Sequence, residues 1–181
     1  MRKTPTIFKR NQANMREILP EPNQLCDWVF AGEGVATRKY DGTCCLIQGG
    51  KLYKRRELKN GTPIPNGFIQ ADADEITGKI VGWVEVDQTS SEDKWHIAAF
   101  NEGMADGTYE LLGPNIQGNP EGFTEHVLLK HSEAERFQDV PRTFDGLREW
   151  MENRDIEGLV FHHPDGRMAK IKKRDYGQKR K

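Results

Sequence analysis

The chain has 181 residues, 27 Lys and Arg against 28 Asp and Glu, a formal charge of −1, and 35% hydrophobic residues. Apolar residues recur along its whole length, which argues against wholesale disorder, yet no run approaches the roughly 18 residues of a membrane span. The opening MRKTPTIFKRNQ has no apolar stretch after its basic residues, so the sequence predicts a soluble, intracellular (cytoplasmic) protein without membrane partners.

One compact domain over residues 1–181 is expected, with a basic, flexible tail at 177–181. Cys26, Cys44 and Cys45 are an odd set without CxxC spacing, read as reduced core residues and not as a disulfide framework or structural zinc site. Charge is uneven. Lys51, Lys54, Arg55, Arg56 and Lys59 cluster early, acidic residues dominate from Asp72 to Asp106, and basic residues from Arg167 crowd the end. Such local fields concentrate polyanions even at zero net charge.

From Val35 to Arg56 the pattern predicts strand, loop, strand, Gly49-Gly50 turn, strand, with Lys39 at the first loop. Gly82 to Val86 and Trp95 to Phe100 predict short strands on either side of the polar loop Asp87 to Lys94, and Thr108 to Leu112 predicts another. GPNIQGNPEG is a turn-rich connector, after which His126 to Lys130 reads as a strand. Phe144, Leu147 and Met151 recur at helical spacing behind Thr143, a candidate N-cap. Ile156 to His162 and Met168 to Lys173 form a predicted hairpin around Pro164-Asp165-Gly166. Many short antiparallel strands and few helices imply an α+β fold.

Four segments carry the chemistry: Lys39-Tyr40-Asp41-Gly42; Lys54-Arg55-Arg56; Tyr109-Glu110-Leu111-Leu112-Gly113-Pro114; and Glu157-Gly158-Leu159-Val160-Phe161 with Ala169-Lys170-Ile171-Lys172. Alone, each has an ordinary explanation: a short turn, a solvated edge, a half-buried strand, a sheet with one polar face. Two features remain informative. Glu110 interrupts an apolar run, and a buried carboxylate needs a partner. Period-two alternation puts Lys170 and Lys172 on one face, a pair that calls for an anion. His162 and His163 alternate at a strand end, which disfavours joint metal ligation; Trp28, Trp83 and Trp150 read as core anchors, and Trp95, next to His96, as either a core anchor or a base-stacking platform.

Taken in order, the four segments resemble the covalent nucleotidyltransferase superfamily of ATP-dependent ligases and capping enzymes. KYDGTCC, YELLGPNIQGNP and EGLVFHHPDGRMAKIK are most similar to RNA ligases of the vertebrate 5′-3′ RNA ligase family and its phage and bacterial relatives. The resemblance runs from about Trp28 to Tyr176. It implies the nucleotidyltransferase (ATP-grasp-like) domain of nucleic-acid ligases, with antiparallel sheets and flanking helices, here without an appended OB domain. It also implies that Lys39 is the nucleophile, that Asp41 and Gly42 shape its loop, and that Arg55, with Arg56 as fallback, contacts ribose or phosphate. Glu110 would contact the ribose, Glu157 would help hold the metal, and Lys170 and Lys172 would hold the nucleotide phosphates. The family stacks an aromatic residue on adenine after the ELxGP segment, where this chain offers His126, Leu128 and Leu129.

The implied reaction uses ATP and Mg²⁺, or Mn²⁺ in its place, to form lysyl-AMP, then adenylated RNA, and finally joins a 5′-phosphate to a 3′-hydroxyl RNA end. A lysine nucleophile must shed its proton, which crowding cations favour, and the same cations neutralise phosphate charge in the transition state. DNA ligation, GTP-dependent capping, and a catalytically silent module that binds RNA ends remain the alternatives.

Overall fold

The structure is a computed structural model that describes residues 3–74 and 78–180, so Lys181 of the basic tail lies outside the described residues. In chain order the strands are β1 (Phe8–Asn11), β2 (Asn14–Pro22), β3 (Val35–Lys39), β4 (Thr43–Gln48), β5 (Lys51–Leu58), β6 (Ile69–Ala73), β7 (Ile80–Glu85), β8 (Gly107–Leu112), β9 (Val127–Lys130), β10 (Arg136–Phe137), β11 (Gly158–His162) and β12 (Met168–Lys172). The helices are α1 (Asp27–Phe30), α2 (Lys94–Ala99) and α3 (Phe144–Glu152). All strand pairs are antiparallel, which makes the fold α+β as the sequence predicts. No helix is long and apolar enough to cross a membrane among the described residues.

The chain divides into two compact units, one built from residues 4–40 and 134–180, the other from 41–133. The first contains a four-stranded sheet in the order β10-β3-β11-β12. Its register places Ala36 across from Phe161, which faces Ala169, and Arg38 across from Leu159, which faces Ile171. Ala36, Leu159, Phe161, Ala169 and Ile171 are buried together with Leu147 and Met151 of α3. Thr143 caps α3 as predicted, its hydroxyl accepting from the Gly146 N–H. The other end is held by Lys173, 2% exposed, whose ammonium donates to the carbonyls of Glu152 (3.2 Å) and Arg154 (2.8 Å). A cation at the C-terminal carbonyls of a helix complements its dipole.

The N-terminal segment extends this sheet. The Ile7 N–H donates to the Lys170 carbonyl at 3.0 Å, and the Lys170 N–H donates to the Pro5 carbonyl at 2.9 Å. Asp175 accepts the Lys172 N–H at 2.9 Å and pairs with Arg10 of β1 at 2.8 Å, which fixes the end of β12. Beyond it, Gln178 donates to the Arg148 carbonyl and Arg180 pairs with Asp155.

The second unit holds a six-stranded sheet ordered β6-β7-β5-β4-β8-β9. One face is the core, where Cys45, Ile47, Leu52, Tyr109, Leu111 and Leu128 pack with residues of α2. Lys54 also belongs to this face, because it sits opposite Cys45, and it meets Asp93, 1% exposed, at 2.5 Å. Alternation sends Arg55, Cys44 and Glu110 to the other face.

The segment predicted as a strand from Trp95 to Phe100 is instead helical, as α2. The Ser90 hydroxyl accepts from the Glu92 N–H and starts a 3-10 turn at Ser91–Asp93 that runs into α2. Asp93 then also accepts the Asp87 N–H at 2.9 Å, closing the loop before the helix. A helix of six residues is too short for its apolar spacing to be told from an apolar strand.

Candidate active site

On the four-stranded sheet, Lys39 lies opposite Gly158, and Gly158 lies opposite Lys172. These residues share one rung and one face, and Thr37, Val160 and Lys170 form the next rung on that face. Gly158 puts no side chain between the two lysines. A Cβ at this position would lie 2.1 Å from the Ile171 carbonyl oxygen and 2.7 Å from Lys172 Cα, so only glycine lets the strands approach this closely.

Glu157 occupies the centre of the lysine cluster. Its Oε2 accepts from Lys39 Nζ at 2.5 Å, and its Oε1 accepts from Lys172 Nζ. Lys39 Nζ also donates to the Tyr40 carbonyl at 3.3 Å. The side chains of Lys39, Glu157 and Lys172 are 20%, 11% and 13% exposed, so the pairing is largely shielded from water.

Burial alone would raise the Glu157 carboxyl, but Lys39 and Lys172 more than offset that and hold it below the usual carboxylate range. Burial, followed by the charges of Lys172 and Lys39, pulls Lys170 down to about 8. Lys172 is lowered by burial and then by Lys39, against the opposing pull of Glu157. The cluster is thus a cation-rich patch around one carboxylate, an arrangement that suits a polyanion.

The KYDG segment divides between the units, with Lys39 and Tyr40 in one and Asp41 and Gly42 in the other. In the 41–133 unit two carboxylates hold successive backbone amides: Glu121 accepts the Asp41 N–H at 2.9 Å, and Glu110 Oε1 accepts the Gly42 N–H at 3.1 Å. A Cβ on residue 42 would meet the Leu111 carbonyl oxygen at 2.3 Å and Glu110 Cγ at 2.8 Å, which explains the glycine there. Glu110 is 9% exposed, and its second oxygen lies 2.9 Å from His131 Nε2. His131 Nδ1 in turn lies 2.9 Å from the Thr108 hydroxyl. Cys44 faces Glu110 directly across the β4–β8 pair.

Arg55 shares this face, its guanidinium 5.0 Å from the centre of the Trp83 ring. Arg56 falls on the parity of Lys54 and is exposed. The structure therefore gathers Lys39, Glu157, Lys170 and Lys172 in one unit, and Asp41, Gly42, Arg55 and Glu110 in the other. His126 stacks on Trp95, with ring centres 4.3 Å apart and planes at 11°.

Sequence reasoning missed Glu121 and His131. Glu121 lies in the turn-rich connector, 80 residues from the amide it holds, and nothing local marks it. His131 is found only once the sheet is packed: extending the Tyr109–Lys130 register by one residue places it opposite Thr108, on the face of Glu110.

No protein-family model matches the chain. In sequence it is similar to RNA ligase 1 of Danio rerio, with 29% identity over 69% of this chain and 46% of that protein. It is 28% identical to RNA ligase 1 of Rattus norvegicus and to that of Mus musculus, over 79% of this chain and 67% of each of those proteins. The chain spans from about half to two-thirds of the length of these curated relatives. It is related to RNA ligases.

Proposed function

We propose that this chain is an ATP-dependent RNA ligase with a nucleotidyltransferase (ATP-grasp-like) catalytic domain. It would join 5′-phosphate and 3′-hydroxyl RNA ends through lysyl-AMP and adenylated RNA. The observation that carries this reading is the shared rung of Lys39, Gly158 and Lys172 with Glu157 between the two amines. The relationship to RNA ligases supports it.

In the first step Lys39 Nζ attacks the α-phosphorus of ATP. The N–P bond forms, the bond from the α-phosphorus to the bridging oxygen breaks, and pyrophosphate leaves. The amine must first give up a proton, which goes to solvent when Lys39 parts from Glu157 Oε2, 2.5 Å away. Lys170 and Lys172, once the triphosphate is bound, neutralise its oxygens.

The oxygen donors of Glu157 fit Mg²⁺ or Mn²⁺, which commonly bind through one or two carboxylates and retain several waters. Held there, the ion would offset charge on the α-phosphate and the leaving pyrophosphate. Glu110, held by Gly42 and His131, is assigned the ribose, and Arg55 the ribose or a phosphate. The AMP then passes to the RNA 5′-phosphate, and the 3′-hydroxyl displaces it.

The test is incubation with α-labelled ATP or GTP, followed by joining assays on RNA and DNA strands that carry a 5′-phosphate and a 3′-hydroxyl. Label transfer from ATP and sealing of RNA are expected. Label from GTP alone, sealing of DNA alone, or RNA binding with no adduct would each overturn the proposal.

A further inference from the structure

Cys44, Glu110 and His131 bring a thiol, a carboxylate and an imidazole onto one face of the six-stranded sheet, with their ligand atoms all within 4.8 Å of one another. The register produces this grouping. Cys44 and Glu110 are direct cross-strand partners, and His131 follows β9 on the same face as Glu110. We infer that this triad is a binding site for a borderline-soft divalent cation, with Zn²⁺ the best fit, separate from the lysine cluster around Glu157.

Glu110 and His131 each have a support that leaves one atom for the metal. Glu110 Oε1 is occupied by the Gly42 N–H at 3.1 Å, which leaves Oε2 for the cation. The Nδ1 of His131 is engaged by the Thr108 hydroxyl at 2.9 Å, which leaves Nε2. Outer partners of this kind orient metal ligands and set the imidazole tautomer. Without metal, Oε2 and Nε2 share a hydrogen bond of 2.9 Å, and the cation would take the place of the shared proton. A tetrahedral zinc site spaces its donors roughly 3.3–3.9 Å apart, so side-chain rotations of about an ångström close the triad.

The donor set determines which metal is preferred. A sulfur and a nitrogen donor select zinc-like ions over Mg²⁺, and thiolate plus carboxylate neutralise a dication. The thiol proton and any proton on Nε2 go to solvent on binding. Three protein ligands leave a fourth position for water, the pattern of an exchangeable site and not of a structural one. Where Glu110 also contacts ribose, as proposed above, Zn²⁺ and ATP compete for one carboxylate, and zinc acts as a brake on adenylate transfer.

The test uses the purified chain stripped of metal. Titration with Co²⁺ is expected to give one equivalent with a thiolate-to-cobalt absorption band, and Zn²⁺ is expected to displace it. Cys44→Ser should abolish the band, His131→Ala should weaken Zn²⁺ by tenfold or more, and Thr108→Val by about tenfold. Absence of the band in the parent protein, or an unchanged band in Cys44→Ser, overturns the inference whether or not the variants fold well. Lys39 labelling is read separately, in metal-stripped protein given Mg²⁺ and ATP. Labelling without a cobalt band removes only the zinc site. A cobalt band in a protein that never labels supports the zinc site and removes the ligase reading. Cobalt that ATP fails to displace supports the zinc site and removes Glu110 from the ribose.

Discussion

The two sheets treat their candidate-site carboxylates in opposite ways. Glu157 is surrounded by ammonium groups, whereas Glu110 is held by a backbone amide and an imidazole. The first arrangement has excess positive charge and holds it away from water, at a cost in stability that an incoming polyanion would relieve. The second carries little charge and fixes the direction of one carboxylate. The proposed chemistry gives the lysine sheet the phosphates and leaves the other sheet to orient one carboxylate.

The sharpest way to break this contrast is to remove single groups and rank the losses. Lys39→Ala should eliminate AMP transfer to the protein, read as label on a gel; undiminished labelling would remove Lys39 from the role of nucleophile. Glu157→Gln should slow labelling by about 100-fold or more, since it removes the metal's carboxylate. The same change leaves Lys39 and Lys172 without their shared anion and should cost about 2 kcal/mol in a denaturation experiment. Because the Glu157 pKa is depressed, the stability it contributes is present above the ordinary carboxylate value and lost as pH falls through the lowered one. Glu157→Gln should lack that acid-side loss.

On the orienting side the effects are smaller. His131→Ala frees Glu110 Oε2, and should raise the KM for ATP by about tenfold with a lesser change in kcat. A fall in kcat alone, with KM unchanged, would erase the distinction between the two sheets. An effect of opposite sign is expected at Lys170. Its folded pKa, about 8, lies below the lysine value of 10.5, so between those limits the unfolded chain binds more protons and stability rises with pH. Lys170→Met should remove that rise and stabilise the protein at pH 7 by up to about 3 kcal/mol, measured as the difference from the parent at each pH. A parallel pH profile for parent and variant would refute a cost of keeping this cation buried.

Much of the lysine sheet was legible in the sequence. Alternation in AKIK placed Lys170 and Lys172 together, and Ala169 and Ile171 are indeed the buried partners. The hairpin at Pro164-Asp165-Gly166 and the Thr143 cap of α3 followed from local chemistry. Alternation along β5 also sends Arg55 away from Lys54, and the Lys54–Asp93 pair shows which of the two faces the core. The sequence did not disclose the Glu121 contact to Asp41 or the grouping of Cys44, Glu110 and His131. Those contacts depend on strand registers set by long connections, and a register is a property of the packed sheet. Helix α2 escaped for a local reason, because its start is fixed by Ser90 and by the buried carboxylate of Asp93.

The central claim is that the Lys39 amine, flanked by Lys170, Lys172 and Glu157, becomes covalently linked to AMP. Peptide mass spectrometry after incubation with ATP and Mg²⁺ tests it most directly. One added AMP is expected on the peptide that contains Lys39, lost on incubation with pyrophosphate. An unmodified protein, or AMP carried on any other residue, would contradict it.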